Sequence, residues 1–220
     1  MRSVKIIAVS GCKDSGKTTL CRELIRALSR RGLSVGYIKR TQESVISPAV
    51  SDTGSVAAGG LPAVLWGNDG LKIELASTDN HQSDPYEIAG RFFPAADIVI
   101  LEGGKNLVIP KIWVFSPGED MPDAPGVFAV YDRYREGDND RRYGANDLDR
   151  LVSVIADKAK LSIRNVRVYI GCKELPMKGF VADFVTGGLT GMLSALKKPD
   201  GFDEGGDVRV YMRGNIVENE

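Results

Sequence analysis

The chain has 220 residues, 43% hydrophobic and 26% charged, an ordinary globular composition with room for one large domain and an appendage. Lysine plus arginine and aspartate plus glutamate both total 29, so the formal net charge is zero, which advertises neither nucleic acid nor an anionic membrane as a partner. Three scattered cysteines (Cys12, Cys21, Cys172), a single histidine (His81) and the lack of a long apolar run argue against a disulfide framework, a structural zinc site and a membrane-spanning helix. The stretch "KIIAVSG" is too short for the apolar core of a secretory leader, so a reduced, cytoplasmic setting is expected.

In chain order, "VKIIAVS" (4–10) reads as a strand buried on both faces, as parallel sheets require. A glycine loop follows, then a helix whose Leu20, Leu24 and Leu28 share one face and which stops at Gly32. "SVGYIK" (34–39) is a second strand, completing a parallel crossover unit. Residues 40–51 read as loop, and "DTGSVAAGG" (52–60) as a short helix with Asp52 at its start, where it is either an N-cap or a magnesium-side residue. "PAVLWG" and "LKIELAS" are strands around a turn at 68–70, and "DPYEIAGRFF" (84–93) is a helix with proline in its first turn. "DIVILEGG" (97–104) is another buried strand, followed by "VIPKIWVF" and "GVFAVY" and then an amphipathic helix over 147–159.

The loop "YDRYREGDNDRRYG" (131–144) carries Arg133, Arg135, Arg141 and Arg142 among tyrosines, and reads as solvated loop, lid or docking edge. Beyond it an α+β appendage is expected: a hairpin turning at Gly171–Cys172, then a helix through Val181–Leu196. The interior glycines Gly187, Gly188 and Gly191 suggest a break or a close contact in that helix. An acidic linker (199–207) leads to "VRVYM" (208–212), an echo of "VRVYI" (166–170). The expected architecture is α/β, a mostly parallel sheet sandwiched by helices, with residues 1–160 as the main domain and 161–220 as the appendage.

Gly11-x-x-x-x-Gly16-Lys17-Thr18 is a complete phosphate-loop pattern between a buried strand and a helix. The glycines let backbone N–H groups of Gly11, Cys12, Lys13, Asp14, Ser15 and Gly16 turn inward toward phosphate oxygens. Lys17 reaches the outer phosphates, and the Thr18 hydroxyl suits Mg²⁺. A phosphate loop also needs an acid for the metal and its waters. Glu102 ends its strand at the carboxyl edge where α/β sheets bind ligands, whereas Asp97 begins that strand at the opposite edge. Lys39, Arg40 and Lys105 lie at the same carboxyl edge and are candidates for phosphate or an acidic substrate.

Four segments resemble the MobB family of molybdopterin-guanine dinucleotide biosynthesis adaptor proteins: "VSGCKDSGKTTLCRELIRALSRRGLSVGYIKRT", "SDTGSVAAGGLPAVLW", "DIVILEGGKNLVIPKIWVF" and "VFAVYD" with the helix after it. The resemblance implies a phosphate-loop fold, a homodimer, binding of GTP with Mg²⁺ and slow hydrolysis at most. It implies work beside molybdopterin and the guanylyltransferase of that pathway. It further implies Gly11 to Thr19 on the phosphates, with Lys17 and Glu102 the residues nearest catalysis. Thr18, Asp52 and Glu102 would face the metal, and Lys39 and Lys105 would line the site. Where the family commonly has Lys-His-Thr-His-His, this chain has Lys39-Arg40-Thr41-Gln42-Glu43, and Glu-Gly-Phe-Lys-His is replaced by Glu102-Gly103-Gly104-Lys105-Asn106.

The residues alone leave other readings open. An ATP-dependent small-molecule or nucleotide kinase would use the same loop, with arginines from 131–144 over its acceptor. A metallochaperone GTPase would need soft or imidazole ligands, which are sparse here. A regulatory module would only sense nucleotide. The guanine preference rests on the resemblance, since no Asn-Lys-x-Asp run is present.

Overall fold

The computed structural model describes residues 5–76, 84–118, 124–134, 141–160, 166–197 and Val210. His81, the acidic stretch 199–207 and most of the 208–212 echo lie outside them.

The apolar runs become strands of one sheet. They are β1 (Lys5–Gly11), β2 (Val35–Lys39), β5 (Ile98–Glu102), β6 (Lys111–Val114), β7 (Val127–Tyr131) and the two-residue β8 (Arg142–Tyr143). Their order is β2-β5-β1-β6-β7-β8, and every pairing is parallel. β8, inside the expected arginine loop, is too short to carry a sequence pattern. Alternate side chains of each central strand face opposite layers. Ile7, Val9, Ile98, Ile100, Ile112 and Val114 pack beneath α1 (Lys17–Arg30) and α4 (Leu148–Lys160). Ile6, Ala8, Val99 and Leu101 form a second core with Ala89 of α3 (Pro85–Phe92).

Helix α1 forms because Leu20, Cys21, Leu24 and Leu28 recur on one face and are all buried. Each such leucine contributes about 1.5–3 kcal/mol by leaving water. Helix α3 begins with Pro85, and the Asp84 carboxylate accepts from the Tyr86 N–H at 3.0 Å. In α2 (Asp52–Ala58) the capping residue is Ser51, whose Oγ accepts from the Gly54 N–H at 3.2 Å. Asp52 is therefore the first helical residue and not the N-cap. Strands β3 (Ala63–Gly67) and β4 (Gly70–Glu74) form an antiparallel hairpin apart from the main sheet.

The chain divides into two compact units, residues 1–176 and 177–220. The division falls later than the expected 160/161 because the hairpin β9 (Tyr169–Ile170) and β10 (Lys173–Glu174) belongs with the first unit. Arg167 donates to the carbonyls of Pro94 (3.0 Å) and Ala96 (2.6 Å), and the Tyr169 hydroxyl donates to Pro94 (3.0 Å). Lys173 pairs with Glu87 of α3 at 3.2 Å. In the second unit α5 runs unbroken from Gly179 to Ser194, and a Cβ at Gly187, Gly188 or Gly191 would meet nothing within 4 Å. The break or close contact expected from these glycines is thus not found among the described residues.

Candidate functional site

The carboxyl ends of β1, β2 and β5 converge on one edge, and the loop between β1 and α1 lies over it. Asp14 takes a left-handed φ of 59°, which aspartate tolerates better than most side chains. Gly16, at φ 92°, precedes α1 without any side-chain cap, and no acid occupies the first turn. The N–H groups and positive dipole end of α1 thus meet no carboxylate of their own helix. Lys17 folds back across the loop, donating to the Cys12 carbonyl and lying 3.5 Å from Ser15 Oγ. Lys13, Asp14 and Thr19 are exposed, as is Cys12.

Glu102 is the centre of the site. It is only 5% exposed. Its Oε1 accepts from Thr18 Oγ1 at 2.8 Å and lies 3.7 Å from Lys39 Nζ; its Oε2 accepts from the Tyr37 hydroxyl at 2.6 Å. Burial pushes its pKa up, but the hydroxyls of Tyr37 and Thr18 and the charges of Lys39 and Lys17 outweigh this, so it lies below the ordinary 4.5. Tyr37 is shifted upward by burial and then by Glu102. Cys21, beneath them in α1, is pushed up to about 12 by burial and by Glu102, which leaves an inert thiol.

Gly103 (φ 101°) and Gly104 (φ 71°) then turn the chain sharply in a conformation that side chains avoid. Ser10, wholly buried, donates to the Gly103 carbonyl at 2.7 Å. Lys111, also wholly buried, donates to three carbonyls of the same turn: Gly104 (3.3 Å), Lys105 (2.6 Å) and Leu107 (2.8 Å). Burial lowers its pKa.

Of the expected site residues, the structure brings together Lys17, Thr18, Lys39 and Glu102. Lys105 is exposed on the turn, tied down through its carbonyl. Asp52 is exposed at the start of α2, and no hydrogen bond or ion pair joins its side chain to Thr18, Glu102 or the loop. Asp97 accepts from the Ser34 N–H (2.8 Å) at the far edge of the sheet. Tyr37 and Lys111 were not anticipated. Tyr37 shares a strand face with Lys39, and this parity was a usable signal once β2 was placed beside β5. Lys111 gave none, because a lysine in an apolar strand reads as surface.

The family model for molybdopterin guanine dinucleotide synthesis protein B, MobB, matches residues 6–131, more than half of the chain. The chain belongs to the MobB family. It is similar to the molybdopterin-guanine dinucleotide biosynthesis adapter protein of Escherichia coli, 28% identical over 118 residues, covering 52% of this chain and 67% of that one. A putative adapter protein of the same kind from Methanocaldococcus jannaschii is 28% identical over 176 residues (74% and 65%). That from Haemophilus influenzae is 30% identical over 111 (50% and 62%). The match thus spans about two thirds of each curated MobB-family relative.

Solved structures carry the fold further. A MobB protein homolog from Bacillus stearothermophilus superposes with a TM-score of 0.51 at 22% identity, covering 71% of this chain and 98% of its own. A second structure, of molybdopterin-guanine biosynthesis protein B, gives 0.52 at 22% identity, covering 70% and 99%. Among the described residues no helix is long and apolar enough to cross a membrane.

Proposed function

We propose that this MobB-family chain binds GTP as its magnesium complex over residues 11–19. On this reading it is an accessory protein of molybdopterin guanine dinucleotide synthesis that hydrolyses GTP slowly at most. One observation carries the nucleotide reading: the hydrogen bond between Thr18, at the head of α1, and Glu102, at the end of β5. It puts a hydroxyl and a carboxylate side by side below the loop, and Mg²⁺ prefers such hard oxygen donors. When bound, the metal would neutralise charge on the phosphates. Thr18 and Glu102 would hold it and its waters, and Lys17 and Lys39 would face the anion. Asp52 is the weaker metal candidate, since nothing joins it to Thr18 or Glu102.

The hydroxyls of Tyr37 and Thr18 and the charges of Lys39 and Lys17 favour the anionic form of Glu102, the form that holds a metal ion and its waters. Family membership and the name of the relatives support a place beside molybdopterin and the guanylyltransferase. A homodimer is part of the same reading. The hairpin β3–β4, which leaves Val64, Leu65, Trp66, Leu71 and Ile73 exposed, supports it, because apolar patches of this kind mark association surfaces.

Calorimetric titration with GTP and with ATP, each with and without Mg²⁺, tests the proposal. The expected outcome is preferential, metal-dependent GTP binding that Lys17→Ala abolishes and Glu102→Gln makes less dependent on metal. Preferential ATP binding with turnover on an added acceptor would replace this reading with the kinase one. Unchanged affinity in Lys17→Ala would sink both.

A further inference from the structure

Arg133 lies just past β7, beyond the segment matched by the family model. Its backbone is fixed on both sides. The buried Asp132 donates its N–H to the Tyr143 carbonyl at 2.9 Å and accepts from the Tyr134 N–H at 3.1 Å through its carboxylate. From this turn the side chain reaches the loop between β1 and α1. A Cβ at Gly16 would stand 2.9 Å from Arg133 Nη2 and 3.5 Å from Cζ. The guanidinium therefore covers the last glycine of the loop, one residue before Lys17. Among the described residues Arg133 makes no ion pair and no hydrogen bond.

A permanently charged group in that place adds to the positive field of Lys17 and the α1 N-terminus. Like charges gathered this way repel, and an anion at the loop reverses the sign of the interaction. Arginine is also the side chain whose planar fork fits phosphate oxygens two at a time. The backbone of a phosphate loop cradles the inner phosphates and leaves the outermost to side chains. Arg133 approaches from outside the loop, from a strand separated from β1 by β6.

We propose that Arg133 contacts the terminal phosphate of the bound nucleoside triphosphate, supplied in cis from the turn after β7, and so sets the preference for triphosphate over diphosphate. This rests on the phosphate-loop reading above. The contact strengthens as charge collects on the transferring phosphoryl group. Its removal therefore slows any hydrolysis as well as weakening binding.

The test is a titration of wild type, Arg133→Ala, Arg133→Lys and Lys17→Ala with Mg·GTP and Mg·GDP, and with the adenine pair in parallel. In Arg133→Ala the triphosphate affinity is expected to fall about tenfold or more, as for a lost charge-assisted contact, while diphosphate affinity holds within about twofold. Arg133→Lys should fall between, keeping charge without the fork. A triphosphate-to-diphosphate ratio in Arg133→Ala equal to wild type would overturn the assignment and leave the phosphate-loop reading standing. An equal loss for both nucleotides would also overturn it, since it places the arginine on a shared phosphate. Wild-type protein that takes up neither nucleotide, or Lys17→Ala that binds as wild type, would instead remove the phosphate-loop reading and Arg133's role with it.

Discussion

Glu102 accepts two hydroxyl hydrogen bonds while almost wholly out of solvent. Hydrogen bonds to a charged group are worth about 1.5–3 kcal/mol. Tyr37 is 38% exposed, so Tyr37→Phe is expected at the low end, about 1.5 kcal/mol in urea unfolding at pH 7. The folded pKa of Glu102 is depressed, so its contribution is complete above the ordinary 4.5 and is lost as pH falls through the folded value. The gap between wild type and Tyr37→Phe should therefore close on acidification; a gap independent of pH would mean that the hydroxyl does not act through the carboxylate. Lys111→Met removes the ammonium from three carbonyls, of which those of Gly104 and Leu107 keep the N–H groups of Leu107 and Ile109 (both 3.0 Å) and that of Lys105 loses its donor. With roughly 1–3 kcal/mol for a carbonyl that loses its donor, a loss of about 2 kcal/mol is expected by denaturant titration. A change below about 0.5 kcal/mol would show that water replaces the ammonium without cost. The glycine pair after Glu102 was legible, since only such a turn follows a buried strand so abruptly. The lysine holding the turn was not, because three-carbonyl capture depends on where the chain goes four to seven residues earlier.

The hairpin β3–β4 has little core of its own, and two strands alone are marginal in water. Glu74 secures it. Its Oε1 pairs with Lys72 at 2.7 Å and accepts from the Ser47 N–H (2.9 Å) and hydroxyl (2.5 Å), fastening β4 to the loop ahead of α2. Lys72 and then Ser47 bring the Glu74 pKa from an ordinary 4.5 down to about 2, against a smaller opposing push from burial. The fastening is intact above pH 4.5 and is released as pH falls from there through about 2. Hydrogen exchange should show protection factors in β3 and β4 falling over that window, before those of β1 and β5. Glu74→Gln should show the same local loss at pH 7. Simultaneous loss in all four strands would refute local release. At this scale the sequence was most informative where strands are buried on both faces or a turn is marked by Asn and Gly. The two-residue β8 was not visible, since two residues display no period, whereas the hairpin of β9 and β10 was read from the glycine of its turn.

Every residue of the candidate site lies in the first unit, and the solved structures that resemble this chain are covered almost completely by about 70% of it. A protein ending at Pro176 is therefore expected to fold and to bind nucleotide as the full chain does, by the same calorimetric titration. Lost binding in a folded truncation would give residues 177–220 a part in the site. The phosphate-loop pattern and the acid at the end of β5 were readable because each sits at a strand end. The guanidinium over Gly16 was not, because only the closed sheet brings residue 133 near residue 16. The strand order has one further outcome, in time rather than space. β1 is made first but lies between β5 and β6, so a ribosome must translate Ile98–Glu102 before β1 has one neighbour and Lys111–Val114 before it has both. Through that interval the nascent chain carries an incompletely paired apolar strand, and holdase chaperones should cross-link to residues 5–11 until translation has passed Val114.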